Sequence, residues 1–122
     1  MLIPHLHFGG RCAEAIALYE KVFDSKARDY DRRGGIIAHA EMTIHGQKVF
    51  MNDAFGNKNK SFDCGAVHLI LTFAMPEELL ACYAQLKEES ETEAPFAETP
   101  YARLAGNFLD RFGVLWGFIT TE

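Results

Sequence analysis

One order of predicted elements occurs twice along the chain, and this internal repeat limits the fold more than any other feature. A His-Leu pair at His5 opens a strand that precedes a helix carrying Tyr19, 14 residues after His5. A second His-Leu pair at His68 opens a strand that precedes a helix carrying Tyr83, 15 residues after His68. The matching order predicts two β-α-β-β-β modules of similar length, each shorter than a typical independent domain.

Hydrophobic periodicity places the elements of each module. Alternation of apolar and polar residues predicts strands in the first half at 2–8, 26–32, 36–44 and 47–53. In the second half it predicts strands at 67–73, around 96, at 101–109 and at 114–121. Helical spacing predicts one helix over 12–23 and another that begins at Pro76, a residue that the first turn of a helix tolerates.

The segments between these elements divide the chain. Residues 54–66 are rich in Gly, Asn, Lys and Ser and follow neither period, so they are predicted to link module one, 1–53, to module two, 67–122. The acidic run 88–93 is expected to form the solvated end of the second helix.

Composition excludes several classes of partner. The 122 residues are 48% apolar, enough for a hydrophobic core without disulfides or metal ions. The formal charge of −5 argues against nucleic acid, which basic residues bind. There is no apolar stretch of 18 residues and no signal-peptide pattern, and the three cysteines lack CxxC spacing. We therefore expect a cytoplasmic protein with reduced thiols and no membrane partner.

Strand alternation gathers polar side chains on one face of the predicted sheets. In module one it sends His5, His7, His39 and Glu41 away from the helix. In module two it sends His68 the same way, together with Ile70 and Thr72. Because a β-α-β-β-β module covers only one sheet face with its helix, the other face must be buried or hold a ligand.

Three motifs carry a family resemblance over essentially the whole chain. They are Phe8-Gly9-Gly10 followed by the helix with Tyr19, His39-Ala40-Glu41 followed by Gly46 and Asp53, and the run 110–116, Asp-Arg-Phe-Gly-Val-Leu-Trp. Together they resemble the vicinal oxygen chelate superfamily of glyoxalase, bleomycin-resistance and extradiol dioxygenase proteins, and within it the PhnB-like branch. The resemblance implies an α+β fold in which two βαβββ modules form a curved, half-barrel-like mixed sheet around a cleft. It also implies a homodimer.

The resemblance further locates the positions where metal-dependent members carry their ligands. These positions are similar to His5, Met51, His68 and Gly117 of this chain. Met51 is a soft ligand and Gly117 has no side chain, so the set is incomplete and no metal cofactor is favoured. If a divalent metal binds, His5, His68 and Glu41 are the candidate ligands, with His7, His39 or Asp53 as substitutes from neighbouring strands.

The leading hypothesis is a PhnB-like protein that binds a small molecule, with no catalytic residue assigned. The cleft is predicted to be lined by His5, His7, His39, Glu41, Met51, Asp53, His68 and Tyr101. A metal-dependent lyase or dioxygenase is one alternative, and a resistance protein that sequesters an aromatic or cationic drug is another. Glu41 beside His39 is interpreted either as an acid–base pair or as an ion pair that satisfies both groups. Gly9-Gly10 is a very weak match to a nucleotide or S-adenosylmethionine site.

Overall fold

The computed structural model describes residues 1–57, 60 and 66–121, apart from the side chains of residues 29 and 30. The chain divides into two compact units, Met1–Lys58 and Asn59–Glu122. Part of the predicted linker, at 58, 59 and 61–65, lies outside the described residues, and so does Cys64. In the described parts of the chain, no helix is long and apolar enough to cross a membrane.

The first unit contains one helix and a four-stranded mixed sheet. Its elements are β1 (His5–His7), α1 (Cys12–Phe23), β2 (Arg28–Arg33), β3 (Ile36–Ile44) and β4 (Gln47–Asn52). The strand order is β1-β4-β3-β2, with β1 parallel to β4 and the other neighbours antiparallel.

The second unit repeats this arrangement. Its elements are β5 (Leu69–Phe73), α2 (Pro76–Leu86), β6 (Glu91–Thr99), β7 (Ala102–Leu109) and β8 (Leu115–Thr120). The order β5-β8-β7-β6 and the single parallel pair, β5 with β8, match the first sheet strand for strand. The predicted α+β class and the two βαβββ modules are therefore confirmed.

Helix α1 forms over the predicted residues because its apolar side chains recur at helical spacing. The buried ones are Cys12, Ala15, Ile16, Tyr19 and Val22. The helix ends where Asp24 adopts a left-handed conformation with φ 48°, and its backbone N–H donates to the Glu20 carbonyl. The amphipathic stripe thus buries one side of α1, and the sheet has a second face that this helix does not cover.

The acidic run 88–93 is the clearest error of sequence reasoning in the fold. Helix α2 ends at Leu86, and Glu91 and Glu93 belong to β6. Strand β6 pairs with β7, where Glu91 lies opposite Leu109, so the backbone gains ladder hydrogen bonds in a strand that remains largely exposed. Half-buried Ala94 and Phe96 share the alternation, which the acidic composition conceals.

Candidate ligand-binding site

The pairing register of the first sheet gathers a set of polar and aromatic side chains on one face. His5 lies beside Phe50, Phe50 beside Glu41, and His7 beside Asn52. Side chains directly opposite each other across a ladder share a face, and successive residues alternate. We call this surface the histidine face and define it by His5, His7, His39, Glu41, Phe50 and Asn52.

Aromatic rings form a continuous row across the histidine face. The ring centroids of His5 and His7 are 4.3 Å apart. Phe50 stands nearly perpendicular to both flanking imidazoles, with centroids 5.9 Å from His5 and 4.7 Å from His39. Phe55, which is 78% exposed, extends the row by an edge contact of 5.2 Å with His7. Phe50 is therefore the centre of the face, although sequence reasoning did not select it.

Asn52 fixes the hydrogen-bonding state of His7. The backbone N–H of Ala54 donates to Asn52 Oδ1 at 3.0 Å, so the amide atom at this position must be the oxygen. The same oxygen lies 2.7 Å from His7 Nδ1, which must then be the donor. In the neutral ring this assignment leaves the lone pair on Nε2, and His7 can accept a hydrogen bond there.

Glu41 supplies the carboxylate of the face. Its Oε1 lies 3.6 Å from His39 Nε2, and its side chain is 18% exposed. In the ladder between β2 and β3, Asp31 lies directly opposite His39. A hydrogen bond from Arg33, together with the charges of Arg33 and His39, lowers the pKa of Asp31. Asp31 is therefore a carboxylate near neutral pH.

His5 is held in its neutral form by its surroundings. Partial burial lowers its pKa below the ordinary value of 6.5, and the charges that His7 and His39 acquire on protonation lower it further. The face therefore presents a neutral imidazole at this position near pH 7. The folded protein binds the proton less readily than the unfolded chain, so stability falls as the pH drops through 6.5.

This assignment predicts the titration of His5 directly. In an NMR titration of the imidazole signals, the midpoint of His5 is expected below 6.5. Replacing the neighbour in His7→Asn is expected to raise that midpoint, because one source of charge repulsion is lost. His45→Asn, a change in the hairpin turn between β3 and β4, is the matched control and is expected to leave it unchanged. A wild-type midpoint at or above 6.5 would contradict the assignment.

Asp53 holds the scaffold beneath the face. One carboxylate oxygen accepts a hydrogen bond from the backbone N–H of Cys12 at 2.8 Å, and the other accepts one from Ile37 at 2.8 Å. The carboxylate therefore joins the start of α1 to the start of β3. Because both of its oxygens accept hydrogen bonds from the backbone, the fold explains a carboxylate at this position and no ligand is needed to explain it.

The structure does not bring Met51 to the histidine face. Met51 is 0% exposed and lies beside Leu6 and Ala40, on the face that the helix covers. Tyr101, another predicted cleft residue, is 71% exposed in the turn between β6 and β7 of the second unit.

His68 lies just before β5 in the second unit. Its Nε2 is 3.5 Å from Glu93 Oε2, in a half-exposed pair. The next residue, Leu69, lies opposite Trp116, and Ile70 lies opposite Gly117. In the first unit Leu6 lies opposite Met51, and His7 opposite Asn52.

The two registers show which residues of the repeat correspond. Gly117 matches Asn52, and Trp116 matches Met51, so the sequence comparison that paired Met51 with Gly117 was displaced by one residue. A Cβ at Gly117 would lie 2.5 Å from Ile70 Cδ1 and 2.8 Å from Asn107 Oδ1, so the ends of these two side chains occupy the space beside the glycine. The second sheet therefore has no counterpart of the His7–Asn52 pair.

The donor set does not fit a metal ion within the first unit. His5 and Glu41 lie on opposite sides of Phe50, two strand spacings or roughly 10 Å apart along the sheet. Metal ligands of these types bind at about 2.0–2.2 Å. Among residues 1–57, 60 and 66–121, no three His, Cys, Asp or Glu side chains converge on a point that a metal ion would occupy.

Comparisons with known proteins agree with this architecture. A model of the Glyoxalase/Bleomycin resistance protein/Dioxygenase superfamily matches residues 3–118. Protein YjdN of Escherichia coli (strain K12) is 28% identical over 136 residues, covering 94% of this chain and 91% of YjdN.

Solved structures give the same agreement. A Bacillus cereus structure described as a putative 3-demethylubiquinone-9 3-methyltransferase, PhnB protein, is 26% identical with a TM-score of 0.84, covering 98% of both chains. The fosfomycin resistance protein FosX of Listeria monocytogenes, complexed with Mn(II) and sulfate, has a TM-score of 0.71. It is 12% identical and covers 100% of this chain and 90% of FosX, which is a likeness of fold.

Proposed function

The chain belongs to the Glyoxalase/Bleomycin resistance protein/Dioxygenase superfamily, and from that premise we propose that it binds a small organic molecule on the histidine face without a metal ion. One observation carries the proposal. Three imidazoles, a half-buried carboxylate and a phenyl ring lie together on the sheet face that α1 leaves uncovered.

The groups of this face have complementary roles in the proposal. Phe50 offers an apolar surface between two imidazoles, and an organic ligand would contact it. His7 Nε2 and the Glu41 carboxylate are placed to accept hydrogen bonds and so to orient the ligand. A few polar groups around an apolar centre are typical of small-molecule sites.

The metal-dependent alternative has less support from the residues. A lyase or dioxygenase of this superfamily using His5, His68 and a carboxylate would need three donors at one point. In the first unit Phe50 separates His5 from Glu41, and in the second unit Ile70 and Gly117 stand where the first has His7 and Asn52. No reaction step through a metal follows from this donor set.

A methyltransferase activity, which the name of the Bacillus cereus protein carries, is not part of the proposal. A Gly-rich turn binds a cofactor through free backbone N–H groups. Here the N–H groups of Gly9 and Gly10 donate to the carbonyls of Ala54 and Asp53, at 3.3 and 3.1 Å. These two glycines form a turn with positive φ. Their N–H groups already donate within the protein and so are not available to a cofactor.

We place this function in the cytoplasm and in a homodimer. Cys12 and Cys82 are buried free thiols, and burial raises the pKa of each to about 12, so both are inert as nucleophiles. Buried reduced thiols suit a reducing compartment. The dimer follows from resemblance to the superfamily, and light scattering of the purified chain measures it.

A fragment screen tests the function. In NMR spectra of the labelled protein, fragments that bind are expected to shift the imidazole signals of His5, His7 and His39 together. Phe50→Leu is expected to weaken a typical hit about tenfold, because the aromatic centre of the face is lost. Tyr101→Leu removes an exposed aromatic ring outside the face and is the matched control.

Two outcomes would contradict the proposal. One is a set of hits that shift signals elsewhere and leave the three imidazoles unchanged. The other is equal weakening by Phe50→Leu and Tyr101→Leu, which would mean that the phenyl ring of Phe50 has no special role.

A further inference from the structure

We propose that the ligand of the histidine face is an organic cation, a protonated or N-methylated amine joined to an apolar or aromatic group. This inference rests on the proposed function and specifies its ligand class. It follows from which hydrogen-bonding groups the face offers, from how its rings are arranged, and from which charges are exposed.

Two groups of the face, His7 and Glu41, offer acceptors to a ligand. His7 donates to Asn52 from Nδ1, so its outward capacity is the Nε2 lone pair. The Glu41 carboxylate is an acceptor at either oxygen, and its Oε1 lies 3.6 Å from His39 Nε2. Such acceptor groups favour a positively charged ligand, which carries N–H donors when it is a protonated amine and an electropositive shell of methyl groups when it is quaternary.

The rings of the histidine face can contact a cation. Phe50 meets His5 at 88° and His39 at 74°, so two imidazoles stand as walls on either side of the phenyl ring. A cation over the face of Phe50 would be attracted by the negative face of the ring, with an imidazole on either side. The contribution grows when water is excluded, and the half-buried Glu41 lies in the same row.

The neighbouring basic groups do not reverse this preference. Arg28 lies opposite Glu41 but is exposed on the edge strand, where solvent screens its charge. Arg33 is paired with Asp31 at 2.9 Å, so the two charges offset each other. Lys48 projects from the same side of the sheet, opposite Thr43, and is exposed, so solvent screens its charge as well. His5 is neutral near pH 7 because its pKa is lowered.

Matched probes test the ligand class. Choline and 3,3-dimethyl-1-butanol have the same shape and differ in charge, and phenyltrimethylammonium and benzoate form an aromatic pair of opposite charge. In NMR titrations at low salt, choline is expected to bind about fivefold more tightly than its neutral isostere. Phenyltrimethylammonium is expected to bind most tightly and benzoate most weakly.

Two variants test whether Glu41 causes the preference for a cation. Glu41→Gln is expected to raise the Kd of phenyltrimethylammonium about fivefold and to leave that of 3,3-dimethyl-1-butanol unchanged. Glu78→Gln, the same change in charge on the first turn of α2, is the control and is expected to alter neither Kd.

The change of Kd with pH is an independent test of the charge that the face prefers. As the pH falls, His5 gains positive charge, so the Kd of phenyltrimethylammonium is expected to rise and that of benzoate to fall.

The outcomes separate the ligand class from the function. If neutral or anionic probes bind the face more tightly than cations, or if cations fail while library fragments bind there, the ligand class is wrong and the function stands. If neither probes nor fragments shift the three imidazoles, both proposals are wrong.

Discussion

Replacing Asp110 with alanine is expected to lower the free energy of unfolding by about 4 kcal/mol, the largest effect of any single change discussed here. Asp110 is 1% exposed. One of its oxygens accepts hydrogen bonds from the backbone N–H groups of Phe112 and Val114, at 2.9 and 3.0 Å. The other accepts one from Trp116 Nε1 at 2.9 Å. Alanine would leave three inward-facing donors without this acceptor, and urea unfolding measures the loss.

A double-mutant cycle keeps this prediction testable if the alanine variant fails to fold. In Asp110→Asn the amide NH₂ faces the indole N–H, two donors in contact, and the expected loss is about 2 kcal/mol. In a Trp116→Phe background that conflict is absent, so the same substitution is expected to be less damaging. Equal losses in both backgrounds would contradict the role assigned to the indole.

The elements that sequence predicts best are those whose signal is local. Helix α1 forms over 12–23 as predicted, because its apolar spacing, the preceding Gly9-Gly10 turn and the αL residue Asp24 all lie within the segment itself. The repeat is equally visible, since the two sheets share one strand order. Strand β6 was predicted around 96, but its start within the acidic run was assigned to a helix end, because pairing with β7, and not composition, decides the structure there.

The candidate site depends on a register that no single strand encodes. Alternation within β1 and β3 correctly placed His5, His7, His39 and Glu41 on one face of the first sheet, because side-chain direction has a period of two. The sequence comparison of the two modules matched the partner strand β4 one residue out of register. A shift of one residue moves the side chains of a strand to the opposite face of the sheet.

Aligning the two His-Leu pairs through their parallel partners would have corrected this slip. With that alignment, the residues of β4 assigned to the histidine face are Phe50 and Asn52, and not Met51. Phe55 had no such signal, because it lies in the irregular segment after β4 and reaches His7 through a local turn.

Replacing Asp53 with alanine is expected to lower the free energy of unfolding by about 3 kcal/mol. Its two oxygens accept hydrogen bonds from Cys12 and Ile37, at the starts of α1 and β3. A carboxylate at a helix N-terminus is also favoured by the positive end of the helix dipole. Both contributions are lost in alanine, and urea unfolding measures the sum.

The control for Asp53 is a second carboxylate at the same helix end. Glu14 lies in the first turn of α1, exposed and paired with Arg11 at 3.0 Å, so Glu14→Gln is expected to change stability by less than about 0.5 kcal/mol. Amide exchange tests the mechanism, since Asp53→Asn should speed exchange most at Cys12 and Ile37. The substitution removes the hydrogen bonds that join helix to strand, so the largest acceleration is expected at these two amides. Uniform acceleration over the first unit, with no excess at these two amides, would show that Asp53 stabilises the unit by another route.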